Sequence, residues 1–112
     1  MTLRHAQVLV VEDDVQIREL VADALAGEGF RVATAPDADT ALNEIERRHF
    51  DLLVTDIRLP GGRDGFDLVR SARANEPALK SLFISGDAAP PGRTEAVPPA
   101  RTARLRLGIA AA

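Results

Sequence analysis

DLLVTDIRLP, at residues 51–60, is the stretch that decides the fold. Residues 52–54 form an apolar run of the kind that is buried on both faces in a parallel sheet. Asp56 follows this run, and Pro60 ends regular structure before a loop with two glycines. An acid at the carboxyl end of such a strand lies where open parallel sheets bind ligands, although a solvated loop acid or a helix cap has the same local sequence.

The composition predicts one globular domain over residues 1–112. Hydrophobic residues make up 46% of the chain, which is enough for a packed core, and there is no cysteine for disulfide or thiolate chemistry. No apolar run approaches the ~18 residues of a membrane span, and no basic-then-apolar leader opens the chain. We therefore expect a soluble, cytoplasmic protein without membrane contact.

The charge is distributed unevenly along the chain. Residues 1–87 carry 10 basic and 16 acidic side chains, whereas residues 88–112 carry four arginines and one glutamate. The body is therefore acidic and the tail basic, but nothing resembles the broad basic surface of a nucleic-acid-binding protein. We expect no direct nucleic-acid partner.

Strands and helices alternate on both sides of the central stretch. The patterns predict strands at 7–11, 30–35, 52–54 and 79–85, and helices at 15–28, 38–48 and 65–75. In the first helix, the apolar positions at helical spacing are Ile17, Leu20, Val21, Ala24 and Leu25. Asp14 is placed to cap this helix. The alternation predicts an α/β fold whose parallel sheet is covered by helices on both faces.

This alternation stops after the fourth strand. Four of the seven prolines lie within residues 88–102, which argues against a helix there. Residues 103–107 alternate between apolar and basic side chains, a pattern typical of an edge strand with one wet face. We therefore expect a fifth strand at the edge of the sheet and no fifth helix.

Polar side chains follow three of the predicted strands. Glu12 and Asp13 follow the first, Asp56 the third and Ser85 the fourth, so that parallel neighbours would bring them to one edge of the sheet. Carboxylates placed together repel each other unless a cation joins them, and oxygen-only ligands suit Mg²⁺. A carboxylate beside Mg²⁺ is also able to act as a nucleophile and form an aspartyl phosphate. The alternative is that the acids of residues 12–14 serve only to cap the helix.

Three segments together resemble the receiver domain of two-component response regulators. They are VLVVEDDVQIREL (8–20), DLLVTDIRLPGGRDGFDLV (51–69) and LFISGDA (82–88). The resemblance covers about residues 6–88 and leaves 89–112 as a divergent tail. It implies a doubly wound, flavodoxin-like sheet of five parallel strands in the order 2-1-3-4-5, here with the last helix missing.

The resemblance also assigns roles to the polar residues. It implies that Glu12, Asp13 and Asp56 bind Mg²⁺, with the backbone carbonyl of Arg58 as a further ligand. Asp56 would accept phosphate from a histidine kinase or a phosphotransfer protein, and Ser85 would contact the phosphoryl group. The chain would then be a signalling phosphoacceptor and not a conventional enzyme.

The chain departs from the family pattern in its tail. The family has a lysine at the end of strand five that contacts the phosphoryl group, whereas the one lysine here is Lys80, at the start of the predicted fourth strand. Arg104 or Arg106 could approach the site, but a planar guanidinium is no simple substitute for an ammonium. The aromatic residue expected on strand five is also missing. The departures bring the link between phosphorylation and conformational change into question.

Two other functions remain compatible with the sequence. A pseudo-receiver would keep the fold and bind a partner without phosphate, as the altered tail favours. A Mg²⁺-dependent phosphohydrolase would use Asp56 as nucleophile, but such enzymes commonly have a second acid where this chain has Arg58. The sequence does not indicate the cognate kinase or the output.

The predicted lack of a fifth helix also bears on assembly. Apolar area beside the first helix and strands one and three would be left uncovered, and the fifth strand would be an open edge. We therefore expect a homodimer built on the C-terminal region.

Overall fold

The structure is a computed structural model that describes residues 5–84 and the backbone of residues 101–102. Its four full strands are β1 (Gln7–Val11), β2 (Arg31–Ala35), β3 (Leu52–Asp56) and β4 (Lys80–Ile84). Its helices are α1 (Val15–Gly27), α2 (Ala38–Arg47) and α3 (Gly65–Asn75). These are seven of the eight elements that the sequence predicts, with bounds that differ by at most two residues.

The four strands are parallel and lie in the order β2-β1-β3-β4. Beside β4, Arg101 and Thr102 pair in parallel with Leu82 and Phe83. The predicted sheet of five strands is thus shown in part, with four full strands, and the fifth strand that the sequence predicts at residues 103–107 falls outside the described residues. Residues 103–112 lie outside the described part of the chain.

Helices cover both faces of the sheet. On one face, Leu9, Val11, Leu53 and Phe83 pack against buried residues of α2 and α3. The opposite face has a second apolar cluster, to which α1 contributes buried side chains and the strands contribute the residues Val8, Val10, Val54, Leu82 and Ile84. This is the doubly wound, flavodoxin-like arrangement, and it buries each central strand on both sides.

The packing of α1 differs from the prediction. Of the apolar positions at helical spacing, Val21 and Leu25 are buried, but Ile17 is 44% exposed and Leu20 is 55% exposed. α1 contacts β1 and β2, and its buried side chains, Val21 and Leu25, belong to the apolar cluster on that face of the sheet.

The expectation of uncovered apolar area on the sheet is wrong for the strands. Val8, Val10 and Val54, which lie on the α1 face of β1 and β3, have no exposed surface. Within the described part of the chain, the large apolar side chains that are exposed belong to α1. Within residues 5–84, none of the helices combines the length and apolar character needed to cross a membrane.

Candidate functional site

The carboxyl ends of β1 and β3 lie side by side. Val11 is the register partner of Thr55, so the next residue of each strand, Glu12 and Asp56, comes to the same level of the sheet. The N–H of Glu12 donates to the carbonyl of Ala35 at 3.1 Å, which keeps Glu12 against β2 as well. The pairing of the strands therefore brings the two acids together, as the sequence predicts.

Three carboxylates form one cluster at this edge. Glu12, Asp13 and Asp56 each offer a carboxylate oxygen, and these oxygens lie within 4.8 Å of one another. Glu12 is 3% exposed, Asp56 is half-buried and Asp13 is exposed. A group made only of carboxylate oxygens, open to solvent on one side, fits a hard divalent cation that keeps part of its water shell.

Asp14 is separate from this cluster. Its Oδ1 accepts the N–H groups of Gln16 at 2.9 Å and Ile17 at 3.1 Å, so it caps α1. Capping by Asp14 does not account for Glu12 and Asp13, which answers the alternative that all three acids serve the helix.

Glu12 is held by one backbone donor and by one arginine side chain. The N–H of Asp14 donates to its Oε2 at 3.0 Å, and Nη1 of Arg18 donates to its carbonyl oxygen at 2.9 Å. Arg18 thereby ties α1 to the end of β1, a contact that helical spacing alone did not reveal. The position of Glu12 in the cluster is therefore supported from the helix.

The pKa of Glu12 is raised from 4.5 to about 7. Burial is the largest cause, because it penalises the charged form; the hydrogen bond from Asp14 opposes it, while the charge of Asp56 and contacts with Asp13 and Asp56 raise the pKa further. Repulsion among clustered carboxylates predicts a raised pKa for at least one of them in the absence of metal. The pKa of Glu12 is raised, but burial contributes more to the rise than repulsion does. A bound divalent cation would offset the repulsion from Asp56, which is a smaller cause of the raised pKa than burial.

Asp56 is oriented by its own backbone surroundings. Its Oδ1 accepts the N–H of Ile57 at 2.7 Å, and its carbonyl oxygen accepts the hydroxyl of Thr55 at 2.9 Å. The carboxylate is therefore fixed by a short local hydrogen bond rather than by an ion pair among the described residues. Sequence patterns gave no sign of the role of Thr55, because a threonine in a buried strand is ordinary.

The sequence predicts two further site residues, Arg58 and Ser85, and a lysine that lies away from the site. Arg58 is exposed in the loop after β3, and a role for its carbonyl as a metal ligand stays a prediction. Ser85 lies outside the described residues, although Ile84 before it is the register partner of Asp56. Lys80, the register partner of Leu52, lies at the opposite end of the sheet from the cluster, as expected.

Comparison with known protein families gives one assignment for most of the chain. Residues 8–100 match the response regulator receiver domain family. All three acids of the cluster fall within this match.

Two curated proteins illustrate the likeness. The response regulator receiver protein CpdR of Brucella abortus is 36% identical over 83 residues, which are 74% of this chain and 68% of that protein. The nitrogen assimilation regulatory protein NtrX of Azorhizobium caulinodans is 41% identical over 80 residues, which are 70% of this chain. That match spans 18% of the length of NtrX.

A solved structure agrees with the fold. The chemotaxis response regulator CheY4 of Vibrio cholerae is similar with a TM-score of 0.76 and 27% identity, over 87% of this chain and 82% of that one. This likeness supports the α/β, flavodoxin-like fold with a parallel sheet.

Proposed function

Because this chain belongs to the response regulator receiver domain family, whose members are signalling modules, we propose that it accepts a phosphoryl group on Asp56 in the presence of Mg²⁺. The observation that carries the proposal is the cluster of Glu12, Asp13 and Asp56, with carboxylate oxygens within 4.8 Å of one another. A buried acid with a pKa raised to about 7 is costly for a fold, and it is typical of sites with a function.

The proposed reaction is a phosphoryl transfer to a carboxylate. A carboxylate oxygen of Asp56 attacks phosphorus, and the bond to the donor breaks as the new O–P bond forms. The leaving group is an imidazole when the donor is a phosphohistidine and acetate when it is acetyl phosphate. The N–H of Ile57, 2.7 Å from Oδ1, holds the attacking carboxylate in one orientation.

Glu12 and Asp13 would hold the metal ion together with Asp56. Mg²⁺ bound there would supply positive charge against the phosphoryl oxygens. Arg58, through its backbone carbonyl, and Ser85, through its hydroxyl, complete the proposed site as a metal ligand and a phosphoryl contact.

Receiver domains interact with histidine kinases or phosphotransfer proteins, and we propose such a cytoplasmic partner as the donor. Val15 and Ile17, at the start of α1 directly after the acids, are 50% and 44% exposed. A protein that brings a phosphohistidine to Asp56 would cover apolar side chains there, which stabilises the complex.

The test is labelling by acetyl phosphate with Mg²⁺. We expect the wild type to incorporate one phosphoryl group and Asp56→Asn to incorporate none, because the amide keeps the shape and lacks the nucleophilic charge. Asp13→Ala should fold normally, since Asp13 is exposed, but should need much more Mg²⁺ for labelling.

The outcomes separate the alternatives. A folded wild type that is neither labelled nor binds Mg²⁺ would indicate a pseudo-receiver, and full labelling of Asp56→Asn would place the acceptor elsewhere. Sustained turnover of phosphomonoesters would favour a phosphohydrolase, which Arg58 disfavours because it stands where such enzymes have an acid.

A further inference from the structure

The first turn of α3 rests directly on the backbone of Asp56. Gly65, the first residue of α3, is buried, and a Cβ added to it would overlap the carbonyl oxygen of Asp56. The same Cβ would lie 3.0 Å from Cα of Ile57 and 3.1 Å from the carbonyl carbon of Asp56. All three are backbone atoms, which have no rotamer to relieve the contact.

The two peptide units that flank Ile57 are each held by a hydrogen bond. The hydroxyl of Thr55, which has no exposed surface, donates to the carbonyl oxygen of Asp56 at 2.9 Å. The N–H of Gly65 donates to the carbonyl oxygen of Ile57 at 2.7 Å. The end of β3 is therefore clamped between its own side chain and the start of the helix.

The position of the peptide between Asp56 and Ile57 determines where the Asp56 carboxylate points. The N–H of Ile57 donates to Oδ1 of Asp56 at 2.7 Å, so any rotation of the peptide turns the carboxylate with it. Glu12 and Asp13 approach from another strand and would not follow this rotation. A small displacement of the peptide would therefore change the geometry of the three-carboxylate cluster.

The helix has little freedom to move away from the peptide. Asp64 and Asp67 form a capping box at its start, and Phe66 and Leu68 are buried within its first turns. Phe66 also packs against Phe83 of β4, with ring centroids 5.0 Å apart. An added methyl group at residue 65 would thus displace the peptide of Asp56 as well as the helix.

We propose that Gly65 is a positioning residue for Asp56: with no side chain, it lets α3 fix the peptide that orients the phosphoacceptor carboxylate towards Glu12 and Asp13. The inference rests on the proposed phosphoacceptor function and adds to it a residue that touches neither metal nor phosphate. It assigns to the start of α3 a part in setting the rate of phosphorylation.

The experiment compares Gly65→Ala with Gly27→Ala. Both are glycine-to-alanine changes in helices, but a Cβ at Gly27 meets nothing within 4 Å. For each folded variant, two quantities are measured: the Mg²⁺ dissociation constant by isothermal titration, and the rate of labelling by acetyl phosphate at saturating Mg²⁺. We expect the labelling rate of Gly65→Ala to fall by about 10-fold to 100-fold, as for a misplaced reacting group, and its Mg²⁺ affinity to weaken. Gly27→Ala should match the wild type.

The result that overturns the proposal is a folded Gly65→Ala that matches the wild type in both quantities, since a purely structural role would lower stability alone. If Gly65→Ala does not fold, Thr55→Val replaces it, because this change removes the hydroxyl donor to the Asp56 carbonyl and keeps the shape. Slower labelling per folded Thr55→Val molecule supports the proposal, and unchanged labelling with unchanged Mg²⁺ affinity overturns it. A wild type that is not labelled contradicts the proposed function instead. The Mg²⁺ affinities of the wild type and Gly65→Ala then decide the role of Gly65, because a weaker affinity of the variant supports the proposal and an equal affinity overturns it.

Discussion

Glu12 is the residue at which burial and function oppose each other most directly. It is 3% exposed, and its pKa of about 7 means that the metal-free site holds a proton at mildly acidic pH. Its negative charge is what a divalent cation would bind. The site is therefore expected to exchange a proton for the metal, and metal affinity should rise as the pH increases through about 7.

The same shift makes the stability of the metal-free protein depend on pH. Because the folded-state pKa of Glu12 lies above the ordinary value of 4.5, the stability that Glu12 contributes is fully present below about pH 4.5 and is lost as the pH rises through about 7. Glu12→Gln stays neutral throughout. We expect its free energy of unfolding at pH 8, without metal, to exceed that of the wild type by roughly 1–3 kcal/mol, and the two to converge near pH 4.5.

Urea denaturation followed by circular dichroism measures this difference, since the chain has no tryptophan or tyrosine for fluorescence. Asp23→Asn, which changes an exposed carboxylate of α1, is the matched control and should show no such pH-dependent gain. A constant offset between Glu12→Gln and the wild type from pH 5 to pH 8 would contradict the prediction.

The residues of the acid cluster were predictable from sequence, whereas the residues that orient them were not. Glu12, Asp13 and Asp56 follow strands whose apolar runs are unambiguous, and parallel pairing leaves one edge for their side chains. Gly65 is different, because the distance between a helix and a strand end is not encoded in any local pattern. The sequence marked it only as the start of a helix.

At the scale of whole elements, α1 shows which properties of a helix can be predicted from its apolar periodicity. Its bounds and its cap at Asp14 agree with the pattern, because capping and helical spacing are local properties. Which part of the apolar stripe is buried depends on the angle at which the helix crosses the sheet. That angle is a tertiary property, and Leu20 is consequently exposed where the stripe predicted burial.

This difference predicts unequal costs for two similar substitutions on α1. Leu25 has no exposed surface, so Leu25→Ala should lower the free energy of unfolding by about 2–5 kcal/mol. Leu20 is 55% exposed, and Leu20→Ala should change it by about 0.5 kcal/mol or less. Both are leucine-to-alanine changes within one helix, so helix propensity cancels in the comparison. Equal losses in urea denaturation would mean that the predicted stripe, and not the observed packing, describes α1 in solution.

For the molecule as a whole, the position of its one lysine limits how phosphorylation could change its shape. Lys80 begins β4, at the end of the sheet opposite to Asp56, and is exposed. A ligand shifts a conformational equilibrium only through contacts that differ between the two states, and the expected ammonium contact to the phosphoryl group is missing from the sequence. Phosphorylation by acetyl phosphate should therefore produce small amide shifts, confined to residues near Asp56 and 85–91.

Two-dimensional NMR spectra of the labelled protein measure these shifts directly. Asp56→Asn treated with the same reagents corrects for effects of Mg²⁺ and acetyl phosphate alone. Large, cooperative shifts that reach residues 101–107 would contradict the prediction, and they would mean that a cation other than Lys80 links the phosphoryl group to the edge of the sheet.

The edge of the sheet also governs assembly. Among the described residues, the pairing beside β4 involves only Leu82 and Phe83, so much of this edge of β4 has no strand partner there. Unpaired strand edges favour association with another chain, and four prolines between residues 88 and 102 stiffen the connection that follows β4. A stiff connection favours exchange of the C-terminal region with a second copy over a tight return to the same sheet.

We therefore expect a homodimer built on the C-terminal region, although the strand faces themselves are covered. Sedimentation velocity at increasing concentration should detect it in the wild type. Removal of residues 97–112 takes away the partner of Leu82 and Phe83, and it should convert the dimer to a monomer or cause aggregation through the open edge of β4. Asp56→Asn, which leaves this edge intact, should sediment as the wild type does. A wild type that remains monomeric at high micromolar concentration would show that the edge is closed within one chain.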